Sequence, residues 1–162
     1  MLLSERAERA ARHAALPRWV LVADAGLRCG LPAARAREIV DAPHLTRLPG
    51  TEAHVRGLMN LRGRPLTVFG LAGVLQGDGQ DADTDVSGGT RTGKPQVVVV
   101  QEGDRLVGFL VDAVLAVAPA AVNADARLPA GVDPRSVAGM CEHDGEMFLG
   151  LDASGLVRSL FD

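Results

Sequence analysis

Trp19-Val-Leu-Val-Ala-Asp-Ala-Gly26 and Val97-Val-Val-Val-Gln-Glu-Gly103 decide the fold. Each is an apolar run of β-favouring residues that ends in an acid and a glycine, the pattern of a buried strand entering a turn. Beyond both runs the same features recur in the same order. The first leads through Glu38-Ile-Val40, Leu48-Pro49 and Val55-Arg-Gly57-Leu-Met59 to the apolar stretch of residues 68–75. The second leads through Asp112-Ala-Val114, Leu128-Pro129 and Val137-Ala-Gly139-Met-Cys141 to residues 147–157. A period of about 80 residues predicts an internal duplication, and hence a mainly β protein built as two small barrels side by side. Frequent Gly and Pro, 19 and 9 residues, favour short strands over long helices. One segment conflicts locally: residues 33–38 are helix-prone, whereas their counterpart near Asp112 is β-like.

Outside the repeats, residues 4–15 place Ala7, Ala10, Ala11 and Ala14 at helical spacing, with Ser4 as N-cap and Glu5/Arg9 and Glu8/Arg12 as i,i+4 pairs. Pro17 ends this helix. Residues 76–96 are polar and rich in Gly, Asp and Thr, which predicts a flexible loop. The expected organisation is an N-terminal helical extension over 1–17 and one domain over 18–162. That domain divides into a subdomain at about 18–75, the loop at 76–96 and a second subdomain at about 97–162.

Composition narrows the function. The chain has 162 residues, 47% apolar and 23% charged, enough to bury a core without disulfide or metal. With 17 basic against 20 acidic residues, and only four Phe and one Trp, neither a phosphate backbone nor stacked bases are expected partners. Cys29 and Cys141 have no Cys-x-x-Cys spacing, so no zinc site or disulfide framework is expected and a reducing cytoplasm fits. The N-terminus lacks a signal-peptide core. The longest apolar run, residues 106–122, is broken by Asp112 and Pro119, and so reads as buried strands with no direct membrane insertion.

Chemistry-bearing motifs are weak. Gly88-Gly-Thr-Arg-Thr-Gly93-Lys94-Pro95 imitates a phosphate loop, but Pro95 lacks the hydroxyl that would hold magnesium. Asp81-Ala-Asp83-Thr-Asp85 starts like a calcium loop, but Val86 and Thr92 stand where Gly and Glu are needed. Neither metal nor other cofactor is expected. Cys141 and His143 could form a thiolate–imidazole pair, although Asp144-Gly145 beside them reads as a hairpin turn. No enzyme is expected.

The segment Val55-Arg-Gly57-Leu-Met-Asn-Leu-Arg62-Gly63-Arg64-Pro65 stands out. A tight turn there would project the Arg62 guanidinium where its rigid fork could grip a carboxylate; a strand end with a solvated Arg is the alternative. Gly57-Leu-Met-Asn-Leu-Arg62-Gly63, preceded by Leu31-Pro32 and Arg37-Glu38-Ile39-Val40 and followed by Leu110-Val-Asp112-Ala-Val114-Leu-Ala-Val117, resembles the CheW-like adaptor domain of bacterial chemosensory systems. The likeness runs from about Trp19 to Phe161.

The resemblance implies two five-stranded SH3-like barrels with short connecting and terminal helices. It also implies a non-catalytic cytoplasmic adaptor, whose partners are a chemoreceptor cytoplasmic tip and the regulatory domain of a CheA-type histidine kinase. Arg62 and Glu38 would pair at a receptor-binding groove between the barrels, with Gly57, Leu58 and Asn60 shaping it. Val111, Val114 and Val117 would belong to the apolar kinase-binding surface. Where the family commonly has Pro, Asp and Arg after the signature, this chain has Thr67, Gly70 and Ala72. A second reading puts a small anionic ligand, such as a nucleotide, between the barrels on Arg62, Arg64 and Arg37.

Overall fold

The computed structural model describes residues 16–41, 43–49, 54–76 and 94–161. The expected helix at 4–15 and the motif residues 81–93 lie outside them. The described chain runs β1 (Arg18–Asp24), β2 (Leu27–Pro32), β3 (Ala36–Asp41), β4 (Val55–Leu61), β5 (Arg64–Gly70) and α1 (Leu71–Gln76). It continues with β6 (Gln96–Glu102), β7 (Arg105–Val111), β8 (Ala113–Pro119), β9 (Val122–Asn123), a 3-10 turn (Pro134–Ser136), β10 (Val137–His143), β11 (Glu146–Leu151) and α2 (Ala153–Phe161). The helix-prone residues 33–38 form a turn leading into β3, because Val40 packs on a core and β3 is hydrogen-bonded to β6.

The strands form two sheets, β8-β1-β2-β11-β10-β9 and β3-β6-β7-β5-β4. The fold is therefore mainly β and two-barrelled, but the barrels are not the sequential halves 18–75 and 97–162. Hairpin β1–β2 of the first half completes the sheet of the second, and hairpin β6–β7 completes the sheet of the first. The cause lies in the connections. Asp112 alone separates β7 from β8, and one residue cannot reverse a strand into its own sheet, so the chain crosses to the other. Asp112 holds that corner: its N–H donates to the Ala23 carbonyl (3.0 Å) and its Oδ2 accepts from the Ala25 N–H (3.0 Å).

Register exposes the duplication. In one sheet Leu21 faces Ala116 and Val22 faces Val114, leaving Leu115 as a bulge; in the other Val99 faces Glu38 and Val100 faces Ala36, leaving Arg37 as a bulge. Glu38 thus corresponds to Ala116, four residues beyond the Asp112 suggested by the sequence pattern. Gly57 and Gly139 also correspond. Each has a positive φ (145° and 157°), and an added Cβ would lie 2.6 Å from the Thr46 carbonyl oxygen or 2.4 Å from that of Asn123. Each glycine lets a neighbouring segment lie flat on its strand.

Three cores result from this arrangement. Trp19, Leu21, Ala118, Cys141 and Phe148 fill one barrel, and Met59, Leu66, Val68, Val97 and Val99 fill the other. The largest cluster joins both sheets and both helices, with Val20, Val22, Leu31, Phe69, Val98, Val100, Phe109, Leu151 and Leu156. β1 and β6 are therefore buried on both faces, which is why their apolar runs do not alternate. Buried Asp24 accepts from the Ala72 N–H through Oδ2 (2.9 Å), tying β1 to the start of α1.

Cys29 lies in the shared core and Cys141 inside a barrel, both free. Burial, then the charge of Asp24 and of Cys141, pushes the Cys29 thiol up from 9.0 to about 12. The folded chain keeps that thiol protonated while the unfolded chain ionises near its ordinary value. Its contribution to stability is thus complete below pH 9.0 and is lost as pH rises toward about 12. Denaturant titrations between pH 8 and 11 should show this decline, and Cys29→Ala should flatten it while lowering stability at pH 8 by about 1–3 kcal/mol. An equally steep decline in the variant would assign it to other groups.

Candidate functional site

The β4–β5 hairpin carries the site. Arg62 and Gly63 form its two-residue turn with φ of 52° and 83°, both left-handed. A type I′ turn suits hairpin twist but favours Asn, Asp or Gly at the first position; Arg62 pays on the order of 1 kcal/mol to stand there. The Gly63 N–H donates to Asn60 Oδ1 (2.8 Å), which fixes the turn. At the corresponding turn of β10–β11, Asp144 and Gly145 have φ of 51° and 79°. That turn has a residue suited to it.

Arg62 reaches across to β3, where its Nη2 stands 3.3 Å from Glu38 Oε1. The Arg62 side chain is 81% exposed and that of Glu38 is 29% exposed. A pair so open contributes no more than about 1 kcal/mol, so it merely offsets the strain of the turn. Nothing about stability requires an arginine there. In the other barrel Ala116 replaces Glu38, and the Asp144 Oδ2 stands 3.3 Å from His143 Nε2 instead.

The structure brings Arg62 and Glu38 together. Both belong to the five-stranded sheet, because Glu38 is registered with Val99, a residue of that barrel's own core. The largest apolar cluster draws side chains from both sheets. Arg37 is also engaged, donating from Nε to Gln101 Oε1 (2.6 Å).

Gly57, Leu58 and Asn60 lie on β4 beneath the turn. Gly57 admits the segment carrying Thr46, whose N–H and carbonyl exchange hydrogen bonds with Leu58 (2.9 and 2.8 Å). Leu58 is half-buried and Asn60 exposed, on the face away from the barrel core. Thr46 is part of this surface and was not foreseen; an isolated bridge leaves no pattern in sequence.

The three valines separate. Val111 is completely buried in the shared core and cannot touch a partner, since β7 is an interior strand of its sheet. Val114 is half-buried against the same core, with its N–H bonded to Gln96 Oε1 (2.8 Å). Val117 is 47% exposed on the edge strand β8, and beside it Leu115, turned out by the bulge, is 46% exposed. Ile39, which corresponds to Val117, is 38% exposed on β3.

At the departures from the family signature, Gly70 packs against Arg56, and a Cβ there would lie 2.7 Å from its Nε. Ala72 is buried where an arginine's charge would be desolvated. Cys141 is buried and its thiol raised by that burial, the opposite of an activated nucleophile. No helix among the described residues is long and apolar enough to cross a membrane.

The search of curated proteins gives no match. Among solved structures, the scaffolding protein TtCheW from Thermoanaerobacter tengcongensis is similar with a TM-score of 0.66 and 22% identity, covering 85% of this chain and 84% of that one. At that identity the likeness concerns the fold. The family model described as CheW-like domain matches residues 18–161, every described strand and both helices. The chain belongs to the CheW-like domain family.

Proposed function

We propose that this protein is a non-catalytic cytoplasmic adaptor that couples methyl-accepting chemoreceptors to a CheA-type histidine kinase. The observation that carries the reading is the Arg62–Glu38 pair, an exposed arginine on a strained turn that stability does not call for. Family membership supports the adaptor role, and TtCheW is itself titled a scaffolding protein. An adaptor acts by binding two partners at once, so it needs two surfaces and no activated nucleophile. Arg62, Glu38, Gly57, Leu58 and Asn60 form the receptor side. Val117, with Leu115 and the rim of Val114, forms the kinase side.

The kinase side has a direct test. Val117→Asp should weaken binding to the cognate kinase at least tenfold, about 1.4 kcal/mol, and leave the melting temperature within a few degrees. Val111→Asp should instead unfold the chain, since it buries a charge in the shared core. Isothermal titration with the kinase regulatory domain, beside thermal unfolding, reads both. Unchanged kinase affinity in a folded Val117→Asp variant would remove this face from the adaptor reading.

A further inference from the structure

Strand β8 ends its sheet, and among the described residues no strand pairs with its outer edge. Leu115 and Val117 stand out from it, 46% and 47% exposed. Val117 is registered with Val20, so it lies on the sheet face that carries the shared core, at the margin of that core. Two branched apolar side chains on an unpaired edge make a surface that folded chains ordinarily cover with a helix or loop. The segment before β1 is anchored beside it. Arg18 is registered with Pro119 at the end of β8, the Ala120 N–H donates to the Pro17 carbonyl (3.0 Å), and Trp19 Nε1 donates to the Ala120 carbonyl (3.0 Å). Residues 1–15, which lie outside the described chain, are therefore attached one strand away from the exposed edge, and the backbone bends at Leu16.

Their length and pattern fit that edge. At helical spacing Leu3, Ala7, Ala10, Ala11 and Ala14 share one stripe, and Glu5, Glu8, Arg9, Arg12 and His13 take the other side. Counted back from Leu16 at about 1.5 Å per helical residue, and from Pro119 at about 3.3 Å per strand residue, Ala11 comes level with Val117 and Ala7 with Leu115. An alanine stripe is shallow and makes few contacts with another flat surface. Protruding branched side chains are its complement, because the small alanines let them approach closely.

We propose that residues 2–15 fold back along the outer edge of β8 and cover Leu115 and Val117 with the stripe of Leu3, Ala7, Ala11 and Ala14. This is the face on which the adaptor reading places the kinase, so the docked segment and the kinase exclude one another. That exclusion rests on the adaptor reading, whereas the docking does not. A tethered segment competes at high effective concentration even where its contact is small. Kinase binding is then left to the fraction of chains whose edge is free.

The test uses the full-length chain with added cysteine pairs and a short bismaleimide. Cys29 and Cys141 are buried, so the chain without added cysteines gives the background. Ala11→Cys with Val117→Cys should cross-link within one molecule about fivefold more than Arg9→Cys with Val117→Cys, since Arg9 stands on the polar side. Adding Ala7→Asp to the first pair should lower its yield to that of the second, with thermal unfolding as the folding control. Equal yields from the two pairs, a product joining two molecules, or a yield indifferent to Ala7→Asp would overturn the docking. Isothermal titration with the kinase regulatory domain scores the exclusion separately. Ala7→Asp alone should tighten kinase binding about threefold, and an unchanged affinity would overturn the exclusion. Selective cross-linking in a chain that binds no kinase would sink the kinase reading and keep the docking. Unselective cross-linking, beside kinase binding that Val117→Asp weakens, would do the opposite.

Discussion

Arg62→Glu should leave the fold standing and, on the adaptor reading, remove receptor coupling. The side chain is 81% exposed, and the pair it makes with Glu38 contributes no more than about 1 kcal/mol, so its loss shifts the melting temperature by only a few degrees. Glutamate bears the same left-handed backbone cost as arginine, so the turn survives. What changes is the sign of the charge at the hairpin tip. A carboxylate there faces Glu38 and presents none of the five guanidinium donors. Buried interface arginines commonly carry about 2–4 kcal/mol, so association with receptor membranes should fall by about 100-fold. If Glu38 acts with Arg62, then Glu38→Arg in the same chain should recover much of what either change loses, a coupling read from the double-mutant cycle. Co-sedimentation with receptor membranes measures all four proteins. Wild-type coupling in the single variant would end the assignment of this hairpin, and unfolding of the variant would end the claim that Arg62 is dispensable for stability.

The second large effect concerns the backbone. Cutting the chain between residues 77 and 93 should give two fragments that are unfolded alone and folded together. The first fragment carries β1–β2 without β8 and β11, and β3 without β6. The second carries β6–β7 without β3 and β5. Each alone would expose one side of the shared core, from which Val20, Val22 and Phe69 come in one fragment and Val98, Phe109 and Leu151 in the other. An isolated hairpin is marginal in water, so neither fragment has an alternative. Mixing them in equal amounts should restore the native circular dichroism and amide spectrum. Cooperative folding of either fragment by itself would show that the halves are autonomous, as a plain tandem duplication would have them.

That contrast marks what the sequence could and could not convey. The double-faced burial of β1 and β6 was legible as unbroken apolar runs, and Asp144-Gly145 announced its hairpin. The repeated order of features revealed two barrels. Which hairpin completes which barrel was not legible, because the two hairpins are near-equivalent and pattern does not name a partner. The decisive clue was the single residue Asp112 between two strands, hidden within a long apolar run. At the site, spacing announced a turn at Arg62, while the approach of Glu38 depends on register with β6 and came only from family resemblance. Val111 and Val117 look alike in sequence. The interior place of β7 makes Val111 core, whereas Val117 lies at the surface on the edge strand β8, beyond the bulge at Leu115.

The exchanged hairpins have a mechanical consequence. Were each repeat to close on itself, the barrels would be beads on a string, free to swivel about their connection. Here the corner at Asp112 is a single residue pinned by two hydrogen bonds, and the largest core is common to both sheets. Turning one barrel against the other would break that core. The molecule is therefore built as a strut: on the adaptor reading proposed above, partners held at the Arg62 hairpin and at β8 would feel each other's tilt and twist, a torque that a tether would dissipate.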